Sequence, residues 1–125
     1  MTEFLHSTQK VDTPWGYELI WPHTERYVGK ILQIKKGESV SYQYHVDKDE
    51  AIRLLSGMLD MGIEINGNVD KLPLMPGECR PMTPGMKHRV SAAEDCDVLE
   101  VSTPELADMV HLEDRYGRAD ASRAK

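Results

Sequence analysis

The sequence contains no apolar run that approaches the roughly 20 residues needed to cross a bilayer. It also lacks a surplus of positive charge, since 15 lysines and arginines stand against 21 aspartates and glutamates, for a net charge of −6. Nucleic acids and anionic membranes attract basic patches, so we expect neither as a partner. The first ten residues lack the basic start and the apolar stretch of a secretory signal.

Cysteine is scarce as well. Cys79 and Cys96 are the only two, and they are not in Cys-x-x-Cys spacing. Two isolated cysteines in a chain without a visible signal predict reduced thiols and a cytoplasmic location. With 125 residues, the chain is long enough for one hydrophobic core but not for two. We assign residues 1–118 to a single domain and expect a mobile tail over residues 119–125.

Short apolar runs, separated by Gly, Pro, Asn and Asp, make up most of the sequence. They predict strands at residues 17–21, 27–34, 40–45, 51–55, 58–65, 69–74, 79–82, 88–92 and 98–102. Asn66-Gly67-Asn68 is a strong hairpin signal because Asn and Gly tolerate positive φ. Thr103-Pro104-Glu105 predicts the start of a short C-terminal helical segment. Many short strands with turns between them predict an all-β antiparallel sandwich or barrel.

Four polar residues stand at positions that predict a common site. Gln43 and His45 are two residues apart, which places them on one face of a strand. If Val46–Asp49 closes a hairpin, Glu50 lies directly opposite His45 and shares that face. The alternation of apolar residues places these side chains, and that of His88 on a later strand, on the inner face of the barrel.

Buried histidine and glutamate side chains are unfavourable among apolar residues unless they are paired or bind a metal. Two imidazoles, a carboxylate and an amide oxygen together predict a site for one divalent metal ion, which is zinc, manganese, iron or nickel. The alternative is a metal-free cluster of hydrogen-bonded polar groups.

The segments that carry these residues resemble the two motifs of the cupin superfamily. Gly37–Gly57 keeps the spacing of G-x5-H-x-H-x3,4-E-x6-G, with Gln43 in place of the first histidine. The segment from Gly77 through Gly85 to His88 is similar to the second motif. The resemblance implies a small double-stranded β-helix, or jelly-roll barrel, with a divalent metal at its centre.

A narrower resemblance is to the cupin domain of type II mannose-6-phosphate isomerases, and it covers residues 13–118. Three segments carry it: Pro14-Trp15-Gly16, Ser41-Tyr42-Gln43-Tyr44-His45 followed by Glu50, and Glu113-Asp114-Arg115-Tyr116-Gly117-Arg118. It implies a metal-dependent aldose–ketose isomerase that acts on a sugar or a sugar phosphate. In such a reaction the metal polarises a carbonyl or a neighbouring hydroxyl, and a general base moves a proton. The sequence does not identify that base.

Lys30 aligns with a lysine that these isomerases keep before the first motif, so the resemblance implies a substrate-binding role. The alternative is an exposed lysine on a strand edge. Arg115 and Arg118 would clamp a phosphate bidentately, or else belong to a solvated basic tail. His6, His23 and His111 have no partner at ligand spacing and are expected at the surface.

Two other functional classes stay open for a cupin. One is a metal-dependent oxygenase, and the other is a non-catalytic protein that binds a sugar or a metal. A homodimer is also expected. Tyr42 and Tyr44 point outward beside Val40, and an apolar outer face of a sheet is typical of an interface.

Overall fold

The computed structural model describes residues 8–105 and 107–113. This part of the chain forms eleven strands and no helix. The strands are β1 (Gln9–Thr13), β2 (Gly16–His23), β3 (Val28–Ile34), β4 (Tyr42–His45), β5 (Glu50–Ser56), β6 (Leu59–Ile65), β7 (Asn68–Leu74), β8 (Cys79–Met82), β9 (His88–Ala92), β10 (Cys96–Ser102) and β11 (Met109–Glu113). None of the described residues belongs to a helix that could span a bilayer.

The strands form two antiparallel sheets. One has six strands in the order β1-β2-β3-β10-β5-β8, and the other has five in the order β11-β4-β9-β6-β7. Strands that are close in sequence, such as β4 and β5, lie in different sheets, so the chain crosses repeatedly from one sheet to the other. The all-β class and the two-sheet architecture agree with the sequence prediction.

The hydrophobic core lies between the two sheets because buried and exposed residues alternate along most strands. Along β9 His88, Val90 and Ala92 are buried, whereas Arg89 and Ser91 between them are half-buried. The fully buried apolar side chains from both sheets include Ile34, Leu54, Leu59, Met61, Leu74, Val28 and Val98. An alternation of period two requires only local sequence, which explains why the predicted inner faces are correct.

The tight turn between β6 and β7 is the hairpin predicted from Asn66 and Gly67. Both residues have positive φ, 52° and 82°. Ile65 pairs directly with Asn68 across the turn. Two consecutive residues of positive φ match the twist of the flanking strands, which is why Asn and Gly are favoured here.

The structure corrects two predictions of secondary structure. The polar strand β1 and the late strand β11 were missed because neither carries an alternating apolar pattern. The helix predicted after Thr103 is absent from the described residues. Thr103 instead continues the strand ladder, because its N–H donates to the carbonyl of Asp49 at 3.0 Å and its Oγ1 accepts from the N–H of Asp49 at 3.0 Å.

The hairpin predicted between His45 and Glu50 is also wrong. β4 belongs to the five-stranded sheet and β5 to the six-stranded sheet, so residues 46–49 form a crossover. Asp108 holds this crossover, because its Oδ2 accepts hydrogen bonds from the N–H groups of Asp47 at 2.7 Å and Lys48 at 2.9 Å. His45 and Glu50 therefore face each other across the interior.

Both cysteines are free thiols, as predicted. Cys79 is exposed and Cys96 is buried. Burial raises the pKa of the Cys96 thiol, which disfavours the reactive thiolate. The cytoplasmic location stays a prediction.

Candidate metal centre

Three side chains from the two sheets meet in the interior. His45 ends β4 and His88 begins β9, whereas Glu50 begins β5 in the opposite sheet. Glu50 Oε1 lies 3.5 Å from His45 Nε2 and 3.5 Å from His88 Nε2. The two imidazole ring centres are 6.0 Å apart, and all three side chains are buried. The structure therefore brings together three of the four residues predicted as ligands.

The second nitrogen of each imidazole contacts a hydrogen-bond acceptor. His88 Nδ1 lies 2.9 Å from the carbonyl oxygen of Met86, and His45 Nδ1 lies 3.2 Å from Asp108 Oδ1. A carbonyl or carboxylate oxygen only accepts, so each Nδ1 carries a proton, and in the neutral imidazole each Nε2 then holds a lone pair. Two nitrogen lone pairs thus face the Glu50 carboxylate oxygen. This arrangement is unfavourable unless a cation lies among them.

The spacing of these atoms also fits a coordination shell. Zinc bonds to nitrogen and oxygen are about 2.0–2.1 Å long, which separates two ligands of a tetrahedral ion by about 3.4 Å. The observed 3.5 Å separations match that distance, and they are longer than a good N–H···O hydrogen bond of about 2.7–3.2 Å. The three residues can therefore hold a divalent cation.

Gln43 lies beside this cluster. It is the direct partner of His88 in the β4–β9 ladder, so the two side chains share the inner face of the sheet. The Ser41 hydroxyl donates a hydrogen bond of 2.8 Å to Gln43 Oε1, and it also contacts His111 Nδ1. The hydrogen bond orients the amide and leaves the second lone pair of Oε1 available to a metal.

A chain of buried ion pairs extends from the cluster along the six-stranded sheet. Lys48 Nζ lies 2.9 Å from Glu50 Oε2 and 3.0 Å from Glu100 Oε2. Lys30 Nζ lies 4.0 Å from the same Glu100 oxygen and 3.3 Å from Glu18 Oε1. Charged groups are tolerated at this depth because each has a partner of opposite sign.

The pKa values within this chain follow from burial and from the neighbouring charges. Burial alone would lower the pKa of Lys48, but the Glu100 and Glu50 carboxylates outweigh it and raise the pKa. Burial alone would raise the pKa of Glu50, but a hydrogen bond from His45 in its protonated form and the charge of Lys48 hold it below the ordinary value. Burial, followed by the charge of Glu50, raises the pKa of Glu100. Glu100 is therefore the carboxyl of this group that is best suited to exchange a proton.

Beside this chain of ion pairs lies a cavity of about 280 Å³. Its wall includes Gln43, His45, Lys30, Lys48 and Glu100. Lys30 is buried, so the alternative of an exposed lysine on a strand edge is wrong. A role for Lys30 in binding a phosphate stays a prediction.

Several predicted positions lie outside the described residues. They are Arg115, Arg118, His6 and the tail over residues 119–125. The clamp predicted for the two arginines therefore stays a prediction. His23 is exposed, as expected.

Sequence reasoning missed four polar residues of the site: Lys48, Glu100, Asp108 and His111. His111 was expected at the surface, but it is half-buried and lines the cavity. Only Glu100 could have been found from the sequence pattern. It lies two residues after the buried Val98 in β10, and residues two apart in a strand share a face. Lys48 lies in a polar crossover where no periodicity indicates which way a side chain points.

The lowered pKa of His88 makes stability depend on pH. Burial lowers this pKa below the ordinary 6.5 that the unfolded chain keeps. The unfolded state therefore binds more protons just below pH 6.5, and the folded state loses stability as the pH falls. We expect the free energy of unfolding of the metal-free protein to fall by at most about 1.4 kcal/mol per pH unit from this group.

Urea unfolding in the presence of a chelator, between about pH 7 and pH 5, measures this slope. His88→Asn should flatten it, whereas His23→Asn at an exposed position should leave it unchanged. Equal slopes for the wild type and His88→Asn would contradict the assigned cause.

No protein-family model matches the sequence, and no curated protein matches it. Solved structures do match. KdgF from Halomonas sp. has a TM-score of 0.67 at 22% identity, and the match covers 82% of this chain and 90% of KdgF. A cupin superfamily protein from Desulfitobacterium hafniense DCB-2 has a TM-score of 0.61 at 16% identity, covering 69% of this chain and 74% of that one. The chain has a cupin fold.

The capsular polysaccharide assembling protein CapF from Staphylococcus aureus matches a larger share of this chain. Its TM-score is 0.71 at 16% identity, and the match covers 89% of this chain but 36% of CapF. The chain thus spans about a third of CapF. At such identities the likeness confirms the predicted jelly-roll fold alone. The resemblance to mannose-6-phosphate isomerases stays a prediction.

Proposed function

We propose that this protein is a metal-dependent isomerase that interconverts an aldose and a ketose, either as the free sugar or as the sugar phosphate. Gln43, His45, Glu50 and His88 would hold one divalent ion. The observation that carries this proposal is the convergence of two imidazole lone pairs and a carboxylate oxygen at 3.5 Å in the interior. The resemblance to isomerases and the likeness to a polysaccharide assembling protein support a sugar as substrate.

The chemical types of the four proposed ligands restrict which metal ions can bind. Two neutral imidazoles, one carboxylate and one amide oxygen suit zinc, manganese, iron or nickel. When bound, such an ion polarises the carbonyl and the neighbouring hydroxyl of an open-chain sugar. Because an amide is an uncharged ligand, the set carries a single negative charge.

Isomerisation moves a proton between adjacent carbons and therefore needs a general base. Glu100 is the residue that we assign to this step. It lies on the cavity wall with Gln43 and His45, and burial raises its pKa, which brings a carboxyl closer to neutral pH. Lys48, at 3.0 Å, holds the ionised carboxylate in place.

Elemental analysis of the purified protein, followed by assays on a panel of free and phosphorylated sugars, tests the proposal. A bound divalent metal with aldose–ketose turnover supports it. Oxygen consumption that depends on ferrous iron would instead indicate that the protein is a metal-dependent oxygenase. An increase in melting temperature on addition of a saccharide, without turnover, would instead indicate a non-catalytic sugar-binding protein. If the protein contained no bound metal and turned over none of the sugars, the proposal would be overturned.

We also propose that the protein forms a homodimer. The proposed interface differs from the one that the sequence predicts at Tyr42 and Tyr44. Tyr42 is half-buried and donates a hydrogen bond of 2.8 Å to Glu64. The outer face of the six-stranded sheet instead exposes Tyr27, Val101 and Leu55. Arg26 and Asp49 line a groove on this face, so a second copy related by a two-fold axis can pair their opposite charges.

Val101→Lys is expected to convert the dimer to a monomer, because it places a charge in the centre of this apolar face. Sedimentation velocity measures the change. Val69→Lys is the matched control, since Val69 is equally exposed, at 53% against 54%, but lies in the other sheet. A wild type that sediments as a monomer, or a dimer broken by Val69→Lys alone, would contradict this interface.

A further inference from the structure

We infer that the cavity binds an uncharged, hydroxyl-rich sugar of monosaccharide size and not a sugar phosphate. This inference rests on the proposed function and selects between its two substrate classes. It follows from the charges that line the cavity beside the proposed metal ligands Gln43 and His45.

The cations of the cavity wall are already committed to carboxylates. Among the described residues that line the cavity, Lys30 and Lys48 are the only lysines or arginines. Lys48 lies 2.9 Å and 3.0 Å from two carboxylates, and Lys30 lies 3.3 Å from Glu18. A phosphate that binds one of these lysines must therefore lie beside the carboxylate that the lysine already contacts, and negative charges at such close range repel each other.

The wall around Lys30 is acidic. Glu18 on β2 and Glu100 on β10 both line the cavity, and Lys30 Nζ lies 3.3 Å from Glu18 Oε1 and 4.0 Å from Glu100 Oε2. Two carboxylates thus accompany one lysine at this end, and a phosphate dianion placed here meets a net negative charge.

The same ion pairs suit hydroxyl groups. A hydroxyl both donates and accepts hydrogen bonds, and an ammonium beside a carboxylate offers one partner of each kind. The volume of about 280 Å³ lies just below the usual range of about 300–1,000 Å³, which restricts the ligand to one ring.

Calorimetric titration of the zinc-loaded protein with matched pairs tests this inference. Each aldohexose or ketohexose of a panel is compared with its 6-phosphate at equal ionic strength. We expect the free sugar to bind at least about tenfold more tightly than its phosphate. Equal or tighter binding of the phosphates would overturn the inference.

The charge on Glu18 provides an independent test. Glu18→Gln removes the nearest carboxylate from Lys30 and should raise the affinity for the 6-phosphates relative to the affinity for the free sugars. Glu94→Gln is the control, because it removes the same charge at an exposed position. An affinity for phosphates that Glu18→Gln leaves unchanged would count against the inference.

The failure of this inference can be told apart from the failure of the proposed function. A protein that loads zinc but binds neither member of any pair overturns the inference alone. A protein that loads no divalent ion overturns the proposed function, and the inference falls with it.

Discussion

Glu50→Gln is expected to lower the affinity for a divalent ion by at least about a hundredfold. Glu50 is the only charged member of the four assigned ligands. Its Oε1 faces both imidazole Nε2 atoms at 3.5 Å. The amide of glutamine has nearly the same shape but no charge, so the change isolates the electrostatic attraction. Titration with zinc against a competing chelator measures the affinity.

Glu64→Gln is the matched control for this prediction. Glu64 lies in β6 and accepts a hydrogen bond from the Tyr42 hydroxyl at 2.8 Å, and we expect its replacement to leave zinc affinity unchanged. Asp108→Asn should lower the zinc affinity by about tenfold, an effect between those of the other two variants. The reason is that Asp108 orients His45 through Nδ1 and does not contact the ion. Wild-type affinity in Glu50→Gln would refute the assigned centre.

Lys48→Met is expected to destabilise the metal-free protein by about 3–5 kcal/mol. The side chain is 3% exposed, and its Nζ lies within 3.0 Å of both Glu50 Oε2 and Glu100 Oε2. Methionine fills a similar volume but leaves two buried carboxylates facing each other without the cation between them. Urea unfolding in the presence of a chelator measures the loss.

Two further variants distinguish this loss from a general effect of removing a lysine. Lys87→Met removes a surface ion pair, 44% exposed and 3.5 Å from Glu64, and should cost no more than about 1 kcal/mol. Adding Glu100→Gln to Lys48→Met should recover part of the stability, because one of the two stranded carboxylates is then neutral. If Lys48→Met costs no more than Lys87→Met, the buried ion pairs do not stabilise the fold as described.

The local pattern of the sequence determined the class of the fold and the inward direction of four side chains. Gln43, His45 and His88 lie on the inner face because a strand alternates with a period of two, and neighbouring apolar residues show which face is inside. The positive φ values at Asn66 and Gly67 follow from residue type alone. Glu50 was also placed inward correctly, although for the wrong reason.

Only the tertiary structure decided how the two sheets assemble around the site. Glu50 reaches His45 across the interior, because residues 46–49 cross between sheets, and no local pattern distinguishes such a crossover from a hairpin. The inward turn of Lys48 depends on hydrogen bonds to Asp108, which is 60 residues away in sequence. Periodicity reports which face of a strand is buried, but the partner of a strand is set by contacts between distant segments. The sequence alone therefore predicted which side chains point into the interior at the site, whereas the tertiary structure decided the charged cavity wall beside them.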